Sequence, residues 1–238
     1  MNATMTDHNA SIMLRLKEYT QSLHDATEDG AFNQELVKGH LPRERYVEML
    51  AQLWLIHRTL EGQLRAHAGS VSAFHAVLRD YQYQEPYLAA DLAFFGRTLS
   101  TIEPLPATKR LMDRIDAMAA NEPAGLLGMH YVFEGSNNGS KFIAKAVRRA
   151  YALDGDGTRY LDPYGENQRA YWQQFKDDMN AVVFSASQTD AILQAAGAAF
   201  EGVMQLHKEL QESPATANAG SVSAPASAPK CPFHAAAR

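Results

Sequence analysis

The spacing of the apolar residues constrains this chain more than any other feature. From about residue 11 to residue 211, large apolar side chains recur at steps of three and four, and Val, Ile and Thr form no sustained period-two run. An α-helix turns once every 3.6 residues, so this spacing collects apolar side chains on one face that can be buried. The pattern predicts an all-α fold with a single helical domain over residues 11–211.

Prolines and glycines delimit the predicted helices. The first helix carries Ile12, Leu16, Tyr19 and Leu23 on one face, and Pro42 is placed to start the second. The buried face of this second helix is predicted to contain Tyr46, Met49, Leu50, Leu53, Ile56, Leu60 and Leu64. Further helices are expected at about 71–80, 86–99, 107–120, 123–152, 166–184 and 188–211.

Charge and composition limit the classes of partner. The 238 residues carry a formal net charge of −5, which gives no overall attraction to nucleic acid or to an anionic membrane. No segment has the length and apolar character of a membrane span, and the first residues lack the pattern of a secretory signal. We therefore expect a cytoplasmic protein with no nucleic-acid or membrane partner.

The two ends of the chain differ in composition from the rest. After Gln211 the sequence is rich in Ala, Ser and Pro and has few large apolar residues. Such a segment buries too little surface to offset the entropy lost on ordering. We predict a disordered tail over residues 212–238 and a disordered N-terminus over residues 1–10. The tail contains the single cysteine, Cys231, which cannot form an internal disulfide.

One stripe of the first helix carries three residues of different chemistry. Lys17, His24 and Glu28 are spaced so that a cation, an imidazole and a carboxylate lie together beside the apolar face. A neutral imidazole can bind a metal ion through one nitrogen while an acceptor orients its other N–H group. His57 and His130 also lie in helical patterns and remain alternatives to His24.

A second unusual segment, "FEGSNNGSKF", lies within a predicted helix. Gly135 and Gly139 are one turn apart, so one face lacks side chains and allows either a flat ligand or another helix to approach closely. Ser136, Asn137 and Asn138 offer donors and acceptors between them and are expected to loosen or kink the helix. The spacing alone does not choose between the ligand and the helix.

Cations follow the glycine segment. Lys141 and Lys145 come after it at a spacing of four, and a later helix places Arg169 and Lys176 near one face. Such side chains either hold a carboxylate at the mouth of a cleft or form an ordinary solvated surface.

Taken together, these segments resemble the heme oxygenase family. "LHDATED" carries a His-x-x-x-Glu pair similar to that of the family's proximal helix, and "FNQELVKGHLPRERYVEMLAQLWLIHRTLE" is similar to its second helix. "YVFEGSNNGSKFIAK" resembles the distal helix, and "FKDDMN" resembles a later segment. They occur in the family's order and span residues 11–211.

The resemblance implies a role for each matching residue. His24 matches the proximal ligand of the heme iron, and Glu28 matches the residue that interacts with it. Gly135 and Gly139 match the glycines that let the distal helix bend over the heme and leave room for dioxygen. The implied catalytic set is Gly135, Ser136, Asn138 and Gly139, and the side chains implied to bind heme, mostly at its propionates, are Lys17, Glu28, Tyr131, Lys145 and Lys176.

Three positions depart from the family pattern. Ser136 stands where mammalian-type members carry an aspartate, although bacterial members with a Glu-Gly-Ser pattern also lack it. Ser140 replaces a smaller residue near the heme, and Trp172 stands where a second mammalian propionate lysine is expected.

The implied activity is oxidative cleavage of heme to biliverdin, ferrous iron and carbon monoxide. Heme is then both substrate and cofactor, and dioxygen and an external electron donor, such as ferredoxin or a flavin reductase, are partners. The sequence itself shows no flavin, nicotinamide or iron–sulfur motif. A heme carrier or sensor, a different enzyme on the same scaffold, and a purely structural helical protein are the alternative interpretations.

A short motif in the tail also resembles a heme-binding element. "KCPFH" contains a Cys-Pro pair similar to a heme regulatory motif, in which an accessible thiolate binds ferric heme. This resemblance implies heme binding by Cys231, with His234 placed to help.

Overall fold

The computed structural model describes residues 11–212, and within this range the chain forms nine α-helices and no β-strand. Cys231, residues 1–10 and residues 213–238 lie outside the described residues, and Glu212, predicted as the first residue of the tail, is the last residue of a helix. The all-α prediction is confirmed. The helices are α1 Ile12–Asp29, α2 Ala31–Lys38, α3 Arg43–Ala66, α4 Ser72–Val77, α5 Glu85–Phe94, α6 Pro106–Asn121, α7 Leu126–Tyr151, α8 Gln168–Ala181 and α9 Ala186–Glu212.

Several helix boundaries differ from those predicted. Helix α2 was not predicted as a separate element, and α4 ends early because Leu78 takes an extended conformation. Helix α5 stops at Phe94, and Gly96 follows with a φ of 72°, a left-handed conformation that cannot continue the helix. Boundaries of this kind depend on local backbone conformation, which apolar spacing does not report.

Helix α3 supplies much of the core. All seven residues predicted for its buried face are buried, and Leu50, Ile56 and Leu64 have no exposed surface. The prediction for α1 was wrong at Tyr19, which is 48% exposed. Its ring lies over the side-chain-free surface of Gly197 in α9, and Thr20 takes the buried place beside it.

Helices α7 and α9 pack with little space between their backbones. A Cβ atom built on Gly128 of α7 would collide with the carbonyl oxygen of Ile192 in α9. A Cβ on Gly202 of α9 would lie 2.8 Å from Cδ2 of Leu111 in α6. Glycine is therefore required for the close approach of these helices, and the contact fixes the position of α7.

The chain from α1 through α2 runs alongside α7. Near the middle of α1, the Thr20 hydroxyl lies within hydrogen-bonding reach of the Tyr131 phenol in α7. At the end of α2, a Cβ on Gly39 would lie 3.1 Å from Cβ of Ala150, near the end of α7. Along the chain, His24 and Glu28 fall between Thr20 and Gly39, and Gly135 and Gly139 fall between Tyr131 and Ala150.

No helix between residues 11 and 212 combines the length and the apolar character that crossing a bilayer requires.

The α7–α9 contact can be tested with two glycine substitutions. We expect Gly128→Ala to lower the free energy of unfolding by about 3 kcal/mol, because the added methyl group meets backbone that cannot move away. Gly62→Ala is the control, since Gly62 is exposed within α3 and a methyl group added there would meet nothing within 4 Å. It should raise stability by about 0.5 to 1 kcal/mol. Urea denaturation followed by circular dichroism measures both changes, and equal stability of the two variants would contradict the packing.

Candidate ligand-binding site

His24 presents its ring between two carboxylates. The side chain is 49% exposed, with Nδ1 3.4 Å from Oδ1 of Asp25 and Nε2 3.6 Å from Oε1 of Glu28. Only the first distance is short enough for a hydrogen bond. A neutral ring that donates from Nδ1 to Asp25 keeps the Nε2 lone pair free for a metal ion.

The second half of α1 has little contact with the protein core. From Gln21 to Asp29 no residue is buried, although the first half of the same helix carries Ile12 and Leu16 in the core. A helix whose inner face is this exposed leaves space beside it. His24 lies on this exposed half of α1, with its ring 6.1 Å from the ring of Phe200 in α9.

The two glycines of α7 have different surroundings. A Cβ on Gly135 would lie 3.2 Å from Cη2 of Trp172 in α8, so this glycine makes room for an indole ring. A Cβ on Gly139 would meet nothing within 4 Å. The sequence left a ligand and a neighbouring helix as alternatives. In the structure, helix packing explains Gly135, whereas Gly139 faces open space.

Helix α7 continues through the glycine segment without interruption. The Ser136 hydroxyl donates to the carbonyl oxygen of Phe133 at 2.7 Å, and the Asn138 amide donates to that of Gly135 at 2.9 Å. These bonds pair side-chain donors with helix carbonyls, as is common for Ser and Asn in helices. They also fix both side chains close to the helix surface.

Aromatic rings form a wall beside the open face. Trp172 stacks on Phe175 with 5.5 Å between centroids and lies 5.8 Å from the ring of Tyr131. Burial raises the pKa of Tyr131, which keeps its phenol neutral. One turn after Gly139, the ring of Phe142 is 66% exposed. The face is therefore apolar, as contact with a flat aromatic ligand requires.

Cations without anionic partners surround the same space. Within residues 11–212, Lys17, Lys145 and Lys176 form no ion pair. The backbone N–H of Met13 donates to Oδ1 of Asn180 at 3.2 Å, and Lys17 and Lys176 each lie one turn from that contact. Two lysines thus lie at one end of the gap, where they suit the carboxylates of an anionic ligand.

His57 and His130 lie elsewhere, within a buried polar network. His57 places Nδ1 3.1 Å from Oε1 of Glu61 and Nε2 3.3 Å from the hydroxyl of Tyr160. His130 is 4% exposed, and burial lowers its pKa to about 4. Both rings are enclosed by protein, so the structure favours His24 over these alternatives.

Glu134 is a buried carboxyl group beside the first glycine. The residue is 1% exposed, and its Oε2 accepts a hydrogen bond of 2.8 Å from the Tyr164 hydroxyl. Burial raises the pKa of Glu134 to about 7, although the Tyr164 bond opposes this change. Its proton is therefore exchangeable near neutral pH.

A separate cleft of about 700 Å³ lies on the other side of α1, between α1, α6 and α9. Its lining includes Tyr19 and Ser22 and excludes His24. We take the gap between α1 and α7 as the candidate site, because the imidazole, the open glycine face and the lysines without ion-pair partners lie on helices that border it.

Three residues near the site were missed by the sequence analysis. Asp25 follows His24 directly and could have been considered as its acceptor. Trp172 was recognised only as a departure from a family lysine, and its place over Gly135 depends on the tertiary fold. Glu134 directly precedes Gly135 in the glycine motif. An acidic residue on the buried side of a helix is unusual and could have been recognised as a candidate functional residue.

Comparisons with known proteins agree on one family. A sequence model of the family described as heme oxygenase matches residues 10–209. Heme oxygenase 2 of Rattus norvegicus is 27% identical over 83% of this chain and 64% of its own length. Heme oxygenase 2 of Synechocystis sp. is 25% identical over 83% of this chain and 82% of its own length. The match thus spans less than two thirds of the rat protein.

Solved structures show the same fold. Heme oxygenase-2 of Synechocystis sp., crystallised in complex with heme and NO, superposes with a TM-score of 0.79 at 25% identity, covering 85% of this chain and 86% of that one. Heme oxygenase of Leptospira interrogans gives a TM-score of 0.78 at 22% identity, covering 84% and 100% of the two chains. At 22% identity, the similarity to the Leptospira protein shows the fold alone.

The raised pKa of Glu134 predicts a specific dependence of stability on pH. A group whose pKa is higher in the folded state adds stability that is complete below its ordinary value of 4.5 and is lost as pH rises through about 7. Between pH 5 and pH 8 the wild-type protein should lose roughly 2.5 kcal/mol relative to Glu134→Gln, which does not titrate. Urea denaturation at both pH values measures this difference. Glu166→Gln, at an exposed position, is the control and should follow the wild type.

Proposed function

The chain belongs to the heme oxygenase family, and we propose that it binds heme between α1 and α7 and cleaves it with dioxygen to biliverdin, ferrous iron and carbon monoxide. The observation that carries this proposal is the gap with His24 on one side and the open surface of Gly139 on the other. A planar ligand of heme's chemistry fits this combination of imidazole, apolar walls and unpaired cations. When bound, heme supplies the redox chemistry and the site at which oxygen is activated.

His24 is the proposed axial ligand, through Nε2. The hydrogen bond from Nδ1 to Asp25 holds the ring in the tautomer that leaves this nitrogen free. Glu28 lies 3.6 Å from Nε2, beyond hydrogen-bonding distance, so this nitrogen stays free for the iron, and Glu28 is proposed to act on the ring through water. Asp25 thus supplies an orienting contact that supports the proposed ligand.

Lys17 and Lys176 are proposed to hold the heme propionates. Neither has an ion-pair partner within the described residues, so binding a carboxylate breaks no existing pair. Lys145 on α7 is a further proposed contact, and the phenol of Tyr131 lies near Lys17 through its contact with Thr20. Charge-assisted bonds of this kind fix the rotation of the ligand in its pocket.

The residues around Gly139 are proposed to control the space over the heme face and the supply of protons to it. Gly139 leaves room over the heme face, while Trp172 covers Gly135 and narrows the access beside it. Asn138 and Ser136 hold polar atoms at the rim of that space. An external electron donor, such as ferredoxin or a flavin reductase, completes the proposed reaction.

Product analysis tests the activity. Purified protein is titrated with hemin, and the complex is then supplied with ascorbate, or with ferredoxin and its reductase, in air. We expect a saturable Soret band that decays as biliverdin and carbon monoxide form. A complex that stays intact with every reductant would contradict the oxygenase and favour a heme carrier or sensor.

The proposed axial ligand can be tested by His24→Ala. Removing the imidazole should abolish the wild-type ferric spectrum and turnover, because no other described histidine borders the gap. His75→Ala is the control, since His75 is exposed and makes no hydrogen bond within the described residues. Optical and paramagnetic resonance spectra of the hemin complexes report the change. Identical spectra for His24→Ala and the wild type would reject the assignment.

The open glycine face can be tested by Gly139→Leu. The new side chain has space in the protein without heme, so the melting temperature should change by less than about 3 °C. Hemin affinity or turnover should nevertheless fall at least tenfold, because leucine fills the volume assigned to the ligand. Thermal unfolding and hemin titration separate these effects. Wild-type turnover in a folded variant would show that heme lies elsewhere.

A further inference from the structure

Several buried polar groups on α7 and on the segment around Gln84 lack a hydrogen-bond partner at good geometry within the described residues. Six almost fully enclosed atoms have no partner at good hydrogen-bond geometry within the described residues: Oε1 of Glu134, Nε2 and Oε1 of Gln84, Nδ2 of Asn137, Oγ of Ser140 and Nε2 of Gln82. Gln84 is nevertheless close enough to Glu134 to lower the pKa of its carboxyl group. Leaving one such group unpaired costs about 1 to 3 kcal/mol. A cluster of this size is therefore incompatible with a dry interior and indicates bound water.

The arrangement along α7 makes these groups neighbours. Glu134, Asn137 and Ser140 follow one another at steps of three, so they occupy adjacent turns on the buried side of the helix. Gln84 lies beside both Glu134 and the hydroxyl of Tyr164. Water beside these atoms can bridge from one turn of α7 to the next.

A further amide side chain lies nearer to the open side of α7. Asn138 is one turn after Glu134 and is only partly buried, and its Oδ1 accepts a bond of 3.3 Å from Nε2 of Gln168. Its amide group also donates to the carbonyl oxygen of Gly135. Asn138 therefore lies between the buried polar groups and the space over Gly139.

We infer that Glu134 is the protonatable end of an internal water chain that runs past Asn137 and Asn138 to the glycine face, where it supplies protons to the heme site. This role rests on the proposed function. Glu134 itself does not touch the ligand, so it is a positioning residue that acts through water. The inference assigns a task to the one buried carboxyl group of α7, which the resemblance to the family does not.

The proton balance of this step is simple. A proton leaves Oε1 of the neutral carboxylic acid, water held by Asn137 and Asn138 carries it toward the glycine face, and another proton returns from solvent. Oε2 stays bound to the Tyr164 hydroxyl throughout. Glu134 therefore ends each cycle in its starting state, and no further oxidant or reductant is needed for this transfer.

The groups that set the titration of Glu134 are limited in number. Tyr164 faces it directly, and Tyr81 is close enough that the Glu134 charge affects it. On the α3 side, His57 and Glu61 are bonded to each other, and His130 is held neutral by burial. With burial raising the pKa of Glu134 to about 7 and no cation facing it, the carboxyl group is well placed to exchange protons near neutral pH.

Infrared spectroscopy and kinetics together test the inference. The carboxylic-acid C=O band of the full-length protein is followed against pH in the wild type, Glu134→Gln, Tyr164→Phe and Tyr171→Phe. A wild-type band should disappear with a midpoint near pH 7 and be absent in Glu134→Gln. Tyr164→Phe should move the midpoint upward, because the lost bond favoured the ionised form. Tyr171→Phe should leave it unchanged, since the Tyr171 ring packs on Tyr164 but its hydroxyl makes no bond.

Turnover then distinguishes a proton-supplying role from a structural one. Glu134→Gln should keep wild-type hemin affinity, lose roughly tenfold or more in turnover rate, and lose the fall in rate that the wild type shows as pH rises through about 7. A variant that cleaves heme at the wild-type rate and with the wild-type pH profile would overturn the inference while leaving the proposed function intact. Wild-type protein that yields no biliverdin would overturn both, and the infrared titration would still decide whether Glu134 exchanges its proton near neutrality.

Discussion

At Gly128 the backbone of α7 lies directly against that of α9, and this contact determines what each side of α7 can do. Because α7 cannot rotate or move away, Glu134 points into the protein while Gly139 faces the gap beside α1. One helix thus separates a polar interior from an apolar open face. The two glycines of this helix have different contacts. Gly135 packs against the indole of Trp172, and Gly139 has no neighbour where a Cβ atom would lie.

Charge is distributed unevenly across this helix. Within the described residues, Lys17, Lys145 and Lys176 lie on the helices around the gap and form no ion pair, whereas burial raises the pKa of the carboxyl group behind α7 to about 7. An anionic planar ligand would satisfy the lysines, and a neutral acid on the far side would add no repulsion to it. The same separation lets the acid release a proton near neutral pH without first breaking a salt bridge.

The helices could be predicted from the sequence because a helix with one buried face carries apolar residues at steps of three and four. The face of α3 was predicted correctly at all seven positions, but Tyr19 was misplaced, since its environment depends on a glycine in α9. Helical spacing identified His24 and Gly139 as candidate residues, the resemblance to the family assigned their roles, and those roles stay proposals. Contacts between distant segments decide which glycine packs against a side chain and which polar groups lack partners. Residue spacing along the chain does not predict such contacts.

The central claim is that heme lies between α1 and α7, bound through His24 and open to dioxygen over Gly139. A crystal structure of the ferric heme complex tests this most directly. It should show Nε2 of His24 on the iron, Gly139 facing the opposite side of the ring, and the propionates directed toward Lys17 and Lys176. Heme bound in the cleft beside Tyr19, or iron ligated by another residue, would contradict the account.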